Sequence, residues 1–401
     1  MELDLHKYTE QNRFRHRYVL GQTGTGKSTL LLNFAIKDIL SGHGVFFLDF
    51  HGEDSLTLLS HVPKEKAGDV IFFDPANSTT PINVLENVAQ SDHARTASAQ
   101  LDMFKSLWDY TTPTPVLDEN VRNGVAALLD HPGATLLGLH FLFLSKKYRS
   151  IVEGTITDPI VQDYWRRFET ILPKNLSAKI DSTVNKTGFL MGDPRIRRTF
   201  GSSRSVFSMS DVLDGKILIV RLPQGQLGLH TAKMIASLLL SNLHGQALAR
   251  ISRKPFHVYL DEIQNLCSSS LIEMLSGIRK FGVSLTLAHQ YMDQLDRGLR
   301  DAVLGNVGTK FMFRIGYADT GALRYTEFGV QGHNVSLAEM RNQLVRVSTP
   351  PDGVVELHTP KLPGAQPASV QERILEGNRR FLARSNCKID AEISRFIKNS
   401  T

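Results

Sequence analysis

An eight-residue stretch near the start of the chain has the residue types and spacing of a loop that binds phosphate. The pattern G-x-x-x-x-G-K-[ST] is matched by Gly21-Gln22-Thr23-Gly24-Thr25-Gly26-Lys27-Ser28. Glycines let successive backbone N–H groups approach a phosphate without Cβ clashes, and the lysine reaches the β- and γ-phosphate oxygens. Ser28 is the expected Mg²⁺ ligand, and Thr29 extends the predicted nucleotide-binding set. A glycine-rich turn that binds no nucleotide is the alternative.

A pair of carboxylates at the end of an apolar run is the second candidate for chemistry. Residues 255–260 lead directly into Asp261-Glu262. In a site that hydrolyses a nucleoside triphosphate, one such carboxylate joins the Mg²⁺ shell and the next polarises the water that faces the γ-phosphate. We therefore expect Asp261 to bind metal and Glu262 to act as general base. A solvated strand end is the alternative, but the phosphate loop favours hydrolysis of ATP with Mg²⁺ as cofactor.

A polar residue also ends the next apolar run, which starts at Val283 and leads to His289-Gln290. An amide in this place can hydrogen bond to the γ-phosphate and to the attacking water, so Gln290 is predicted to take part in catalysis together with Lys27 and Glu262. A strand-end glutamine satisfied by the backbone is the alternative.

Alternating strands and helices must position these residues. Strand-like runs lie at 18–20, 45–49, 70–74, 216–222, 255–260, 283–290 and 309–315. Helix-like runs lie at 28–40, 54–61, 228–250 and 270–280. Because unbroken apolar strands that alternate with helices are typical of parallel sheets, the pattern predicts an α/β fold with a mainly parallel central sheet covered by helices on both faces.

A long helical stretch interrupts this alternation. Strand character is weak from about residue 83 to 207, and the runs 94–108, 118–129 and 160–172 are helix-like. We therefore predict a discontinuous ATPase core, an all-helical insert domain and a basic C-terminal tail. Their bounds are 1–83 and 207–358 for the core, 84–206 for the insert and 359–401 for the tail.

Composition narrows the class of protein. The chain has 401 residues, 41% hydrophobic and 21% charged, which is typical of one large or two moderate globular domains. Its net charge of +6 permits a polyanionic partner without requiring one. Its two cysteines have no disulfide or zinc spacing. No run approaches the length of a membrane span and the N-terminus is too charged for a signal peptide, so we expect a soluble, cytoplasmic chain, with any membrane attachment supplied by a partner or by sequence outside these residues.

In their order along the chain, these motifs resemble the HerA/FtsK superfamily of hexameric DNA-pumping ATPases, in particular its conjugative coupling-protein and type IV secretion branch (TraG/TraD-like). The likeness covers nearly the whole chain and rests on Arg17 to Thr29, Phe47 to Glu53, Asp74-Pro75, Lys216 to Gly228, Val258 to Asn265 and Gly277 to Gln290. It implies a RecA-like P-loop NTPase fold of the ASCE type. Phe50 stands where the family has a proline, so we expect the loop after Asp49 to turn differently.

The resemblance also implies partners. Members of the superfamily form homo-oligomers, expected here to be a hexamer, that bind DNA in a pore without sequence specificity. Arg279 resembles the arginine that coupling proteins project into the neighbouring subunit's site, where it would act in catalysis. A surface helix residue is the alternative for Arg279, and Arg314 is a second candidate for the same role.

The function that the resemblance implies is ATP-dependent DNA translocation, with a secretion channel, a relaxase or a nuclease as partner. Two other functions stay open. One is a secretion-assembly ATPase that does not act on DNA, and the other is a nucleotide-gated ring scaffold in phage defence.

Overall fold

A nine-stranded sheet is the framework of the described residues, which in the computed structural model are 3–8, 14–107, 114–323, 326, 328, 337–349 and 353–401. The strands are β1 (Arg17–Leu20), β2 (Gly44–Asp49), β3 (Val70–Phe73), β4 (Ile217–Arg221), β5 (Phe256–Leu260), β6 (Val283–His289), β7 (Thr309–Met312), β8 (Leu344–Ser348) and β9 (Val354–His358). Their order is β3-β4-β2-β5-β6-β1-β7-β8-β9. All neighbouring pairs from β3 to β7 are parallel, and β8 and β9 join as an antiparallel edge. The predicted α/β fold with a mainly parallel sheet is confirmed.

Helices connect the strands. In the first half of the chain they are α1 (Lys27–Leu40), α2 (Glu53–Ser60), α3 (His93–Leu107), α4 (Pro115–Asp130), α5 (Gly138–Leu144), α6 (Lys146–Glu153), α7 (Pro159–Glu169), α8 (Pro173–Gly192) and α9 (Pro194–Phe200). In the second half they are α10 (Met209–Leu213), α11 (Gln224–Leu227), α12 (Leu229–Ala249), α13 (Ser268–Gly277), α14 (Arg297–Asn306), α15 (Tyr317–Ala322), α16 (Ala368–Phe381) and α17 (Asn386–Ser400). Short 3-10 turns lie at Lys64–Asp69, Gln90–Asp92, Ile263–Asn265, Ile278–Phe281, Met292–Gln294 and Leu337–Glu339.

The strand order brings the predicted site residues together at the carboxyl ends of the parallel strands. Strand β6 lies between β1 and β5, and the last residue of β1, Leu20, is level with His289 at the end of β6. Leu260 at the end of β5 is level with Leu48 of β2 and Leu287 of β6. Because these strands are parallel, the segments that follow them emerge on the same side, where open α/β sheets bind ligands.

Burial on both faces explains the unbroken apolar strands. Every residue of β1, β2, β5 and β6 is buried. Above the sheet, Phe34 of α1 meets Phe311 of β7 edge to face, with ring centroids 5.3 Å apart. Each large apolar side chain buried in this way contributes about 1.5–3 kcal/mol. The core therefore fixes α1, and with it the loop that precedes α1, against the sheet.

Contacts between residues divide the chain into two compact units. Unit 1, which holds the sheet, is Met1–Phe73, Met209–Gln226 and Gln246–Asn378. Unit 2 is Asp74–Ser208, Leu227–Gly245 and Arg379–Thr401. The predicted domain boundaries remain a prediction.

Unit 2 is helical, and aromatic rings and one buried amide organise its interior. The Trp165 ring lies 5.4 Å from that of Phe143 and 5.3 Å from that of Phe168. Asn120 is fully buried, accepts a hydrogen bond from the Tyr164 hydroxyl at 2.6 Å and donates to the Thr183 hydroxyl at 2.8 Å. A buried amide with its hydrogen bonds made in this way costs little and fixes the packing of the helices that carry it.

The structure differs from the sequence-based elements in three places. Strands β8 and β9 were not predicted, because they are short antiparallel edge strands with partly exposed residues and lack the apolar signature of the parallel strands. The helix predicted over 270–280 ends at Gly277, and Arg279 lies in a 3-10 turn. The segment predicted as a basic tail forms two helices, α16 and α17. Residue 108, where one predicted helix ends, lies outside the described residues.

The open edge of β3 is covered by a side chain. The Asn378 amide nitrogen donates to the carbonyl oxygen of Val70 at 3.0 Å, and its amide oxygen accepts from the backbone N–H of Phe72 at 2.7 Å. One asparagine of α16 thus imitates the main chain of a further strand.

Among the described helices, none has both the length and the apolar character that a membrane span requires.

Candidate active site

The phosphate-type loop lies between the end of β1 and the start of α1, as its sequence predicts. Two of its glycines have left-handed backbone angles, with φ of 75° at Gly24 and 119° at Gly26. At Gly26 a Cβ atom would also lie 3.1 Å from the Phe313 ring. The Thr25 hydroxyl closes the turn by donating to the Gln22 carbonyl at 2.7 Å. The loop therefore depends on glycine at these positions.

The first turn of α1 has the features of an anion-binding site. Among the described residues, no side chain caps this end of the helix, and its first turn carries no acidic residue. Lys27 is buried there, and its ammonium donates to the Gln22 carbonyl at 3.1 Å. Burial lowers the pKa of Lys27, against the opposing effect of Asp261 and Glu262. A buried cation beside uncapped helical N–H groups favours a bound phosphate.

The carboxylate pair follows β5 at the same edge of the sheet. Asp261 and Glu262 are both buried, and the Glu262 N–H donates to the Asp261 carboxylate at 2.9 Å. Burial raises the pKa of Asp261 to about 7, and the charge of Glu262 acts in the same direction, while Lys27 opposes it. A divalent cation would relieve this cost, since carboxylate and hydroxyl oxygens are ligands that Mg²⁺ prefers. Ser28 supplies the hydroxyl and interacts with a further carboxylate, that of Asp54.

Three side chains hold the Glu262 carboxylate. Gln290 donates to its Oε1 at 2.6 Å, Gln264 donates to its Oε2, and His51 Nε2 lies 3.5 Å from Oε1. Burial acts to raise the pKa of Glu262, but these three contacts more than offset it, and the pKa is lowered. Glu262 is therefore an ionised carboxylate at neutral pH, as a base that accepts a proton from water must be.

Gln290 also connects the carboxylate to the loop. While its amide nitrogen donates to Glu262, its amide oxygen accepts from the Thr23 hydroxyl at 3.0 Å. Within the part of the chain that the structure describes, the partners of this side chain are thus two candidate site residues and not the backbone. A ligand that moved Thr23 of the phosphate loop would therefore affect Glu262 through the Gln290 side chain.

The turn after β2 positions His51. Asp49 Oδ1 accepts from the backbone N–H groups of His51 and Gly52, and its Oδ2 accepts from that of Ser55, each at 2.8 Å. Phe50, which stands where the related family has a proline, is fully buried. The buried Asp49 carboxylate therefore fixes both the start of α2 and the His51 backbone.

The two arginine candidates lie in different places. Arg279 is exposed in the turn that precedes β6, at the opposite end of that strand from Gln290. Seven strand residues at about 3.3 Å each separate the two ends by roughly 20 Å. Arg314 follows β7, and its carbonyl accepts from the Gln22 N–H at 2.8 Å. The structure thus brings together Gly21 to Thr29, Asp261, Glu262 and Gln290, but it does not bring Arg279 to them within one subunit.

Three residues at the site carried no predicted role: His51, Asp54 and Gln264. His51 was visible only as part of a family motif, and Gln264 only as a polar residue two positions after Glu262. Asp54 follows the last residue of the same motif. The signal common to all three is a polar residue just after an apolar strand of a parallel sheet.

The residues present fit ATP and Mg²⁺. Uncapped N–H groups and Lys27 suit the phosphates, and the oxygens of Ser28 and Asp261 suit the metal. The strand order, with one strand between β1 and β5, and the loop at the end of β1 define the fold as that of a RecA-like P-loop NTPase.

Comparison with known proteins indicates which NTPases share this fold. Residues 255–326 match the protein-family model described as the TraM recognition site of TraD and TraG. The bacterial conjugative coupling protein TrwBΔN70 is similar in structure, with 18% sequence identity, a TM-score of 0.63, and coverage of 90% of this chain and 88% of that chain. TrwB in complex with ADP and Mg²⁺ has 17% identity, a TM-score of 0.64, and coverage of 89% and 88%.

A second type of protein shares the fold. VirB4 of Thermoanaerobacter pseudethanolicus has 15% identity, a TM-score of 0.57, and coverage of 89% of this chain and 91% of that chain. No curated protein matches the sequence. At these identities the comparisons establish the fold, which is that of the conjugative coupling proteins and VirB4 and agrees with the resemblance seen in the sequence motifs.

Proposed function

We propose that this chain is a Mg²⁺-dependent ATPase of the coupling-protein type that moves DNA through a ring of identical subunits. The observation that carries the ATPase part is the convergence of the loop, Asp261, Glu262 and Gln290 at one edge of the sheet. The coupling-protein part is supported by the match of residues 255–326 and by the likeness to TrwB over most of both chains.

Each residue has a role that its environment supports. Bound Mg²⁺·ATP supplies the γ-phosphoryl group and the metal charge that partly neutralises it. Ser28 and Asp261 would hold the metal, Lys27 and the loop N–H groups would bind the phosphates, and Glu262 would accept the proton of the attacking water. Gln290, through its contacts with Thr23 and Glu262, makes the position of the base depend on the state of the loop.

Arg279 is proposed to act in the neighbouring subunit. It is exposed and far from the site of its own chain, as a residue that completes another subunit's site must be. A guanidinium there would neutralise charge on the γ-phosphoryl oxygens and would make hydrolysis depend on ring assembly. In Arg279→Ala we expect assembled rings to lose most of their hydrolysis, whereas Lys280→Ala, at the exposed adjacent position, should keep it. Equal activity of the two variants would remove Arg279 from the mechanism.

DNA-stimulated ATP hydrolysis tests the proposed substrate. We expect the purified chain to hydrolyse ATP faster with DNA, with a stimulation that falls as salt rises because phosphate contacts release counterions. Glu262→Gln should abolish turnover, while Glu372→Gln at an exposed position of α16 should not. A turnover that no DNA changes at low salt would refute DNA translocation.

The likeness to VirB4 favours one other candidate, a secretion-assembly ATPase that does not act on DNA. Such an enzyme would hydrolyse ATP with no response to DNA and would respond to a protein partner, for which the family described as a TraM recognition site suggests a protein of the TraM kind. A nucleotide-gated scaffold would instead keep its function in Glu262→Gln.

Native mass spectrometry with an ATP analogue and DNA tests the hexamer directly. The cytoplasmic location remains a prediction.

A further inference from the structure

A second cluster of ligating side chains lies in unit 1, at the other end of the sheet strands from the candidate active site. Asp38 is in the last turn of α1, His43 directly precedes β2, and His257 is the second residue of β5. Asp38 and His257 are fully buried, whereas the His43 side chain is 10% exposed. The cluster is therefore enclosed on the protein side and reachable from solvent past His43.

The spacing of the three side chains suits one metal ion. One ligand atom from each residue can be chosen so that all three lie within 4.8 Å of one another. His43 Nδ1 lies 3.1 Å from His257 Nε2 and 3.7 Å from Asp38 Oδ1. Ligands on a tetrahedral zinc ion, with bonds of about 2.0–2.1 Å, lie about 3.3 Å apart. His257 faces Asp38 with its other ring nitrogen, Nδ1, which lies 3.6 Å from Oδ2, so the side chains must move to bring one atom of each residue around one ion.

Outer contacts orient the ligands toward the centre of the cluster. The Ser284 hydroxyl lies 2.7 Å from His257 Nδ1, which directs Nε2 of that ring toward His43. The Tyr259 hydroxyl donates to Asp38 Oδ2. The other oxygen, Asp38 Oδ1, is buried and has no hydrogen-bond partner among the described residues. This oxygen faces His43 Nδ1 at 3.7 Å, too long for a hydrogen bond but a spacing that an ion between the two atoms would suit. Outer hydrogen bonds such as those to His257 and Asp38 are characteristic of metal sites.

Arg17 sets the charge of the site. Its Nη1 lies 3.7 Å from Asp38 Oδ2 and donates to the Tyr259 hydroxyl at 3.2 Å, on the side away from the unpartnered Oδ1. Because the charge of Arg17 neutralises that of the Asp38 carboxylate, a bound divalent ion would give the cluster a net positive charge. The site then resembles those in which neutral imidazoles bind zinc with water in the open position, and it suits Zn²⁺ better than Mg²⁺.

We propose that Asp38, His43 and His257 bind one Zn²⁺ ion that joins the end of α1 to the starts of β2 and β5. This ion is distinct from the proposed nucleotide-bound Mg²⁺, and its binding does not depend on the proposed function. It would fix the far end of the helix whose first turn carries Lys27.

The test is Zn²⁺ binding by the purified full chain after chelator treatment, without nucleotide or Mg²⁺, measured by equilibrium dialysis and by the visible spectrum of Co²⁺ as a substitute ion. We expect one bound ion that His43→Asn and Asp38→Asn weaken by about tenfold or more. His358→Asn, at an exposed position of β9, and Asp261→Asn in the candidate active site should bind Zn²⁺ like the wild type.

His43→Asn carries the test if Asp38→Asn fails to fold, because the His43 side chain lies at the rim of the cluster. Without zinc, the circular dichroism and melting temperature of His43→Asn should equal those of the wild type. Added Zn²⁺ should raise the melting temperature of the wild type but not that of His43→Asn. Wild-type affinity and stoichiometry in folded His43→Asn would overturn the proposal. So would a wild-type chain that binds no zinc, which would leave the cluster as a buried network around the Arg17–Asp38 pair.

Discussion

Asp49→Ala tests the reasoning that one buried carboxylate fixes the turn at the candidate active site. The side chain is 3% exposed and accepts three backbone hydrogen bonds of 2.8 Å, from His51, Gly52 and Ser55. Alanine removes every acceptor and leaves three N–H groups, of which those of Gly52 and Ser55 belong to buried residues. A hydrogen bond to a charged group contributes about 1.5 kcal/mol or more, which gives about 4–5 kcal/mol together. Since entering water can serve one N–H, we expect a loss of about 3–4 kcal/mol in the free energy of unfolding.

The assay is urea denaturation followed by circular dichroism, with hydrogen exchange of the peptide that spans residues 50–56 to locate the effect. Amides at His51, Gly52 and Ser55 should lose about a hundredfold of their protection, the equivalent of about 3 kcal/mol. Asp69→Ala is the matched control, because Asp69 is 46% exposed and its ion pair with Lys66 spans 3.6 Å at the surface. Such a pair contributes about 1 kcal/mol at most.

Asp49→Asn refines the measurement. Its amide keeps one acceptor oxygen, so it should retain about half of the stabilisation and protect fewer of the three N–H groups. If Asp49→Ala unfolds at the urea midpoint of Asp69→Ala with unchanged exchange in residues 50–56, the turn is held by other contacts. The account of how His51 reaches Glu262 would then be wrong.

Three further predictions concern chemistry and binding. Gln264→Leu removes a hydrogen-bond donor to Glu262 and so raises the pKa of that carboxylate. The acidic limb of the pH profile of kcat/KM for ATP hydrolysis should therefore move up by about one pH unit. Lost activity with an unmoved acidic limb would contradict this. Since burial raises the pKa of Asp261 to about 7 and a metal ligand must be deprotonated, calorimetric Mg²⁺·ADP affinity should rise between about pH 6 and pH 8 in the wild type but not in Asp261→Asn. Gly26→Ala puts a Cβ 3.1 Å from the Phe313 ring at a φ of 119°, so affinity for an ATP analogue should fall about tenfold, with Gly225→Ala as the unaffected control.

Much of the fold could be predicted because its signals are local. The loop motif requires a strand before it and a helix after it, and the strand predicted at 18–20 and the helix at 28–40 are observed at Arg17–Leu20 and Lys27–Leu40. The unbroken apolar runs predicted the parallel sheet because strands buried on both faces need no polar alternation. Strands β8 and β9 lack that signature, and so they were missed.

The candidate site could be predicted only in part. Asp261, Glu262 and Gln290 were found because each follows an apolar strand, and parallel strands bring such ends together. The contacts of Gln264 and His51 with Glu262 depend on side-chain conformation and on the Asp49 turn, which residue spacing does not encode. The end of α13 was misjudged because Gly277 and Gly282, the latter with a φ of 76°, confine Arg279 to a tight turn.

Asn378 has a consequence for how subunits can associate. By occupying Val70 and Phe72, its amide removes main-chain groups that another polypeptide would need to extend the sheet at β3. Strand addition at that edge, a common route to aggregation, is therefore opposed by a single side chain. A neighbouring subunit that contacted this edge would therefore meet side chains and not a backbone hydrogen-bond ladder.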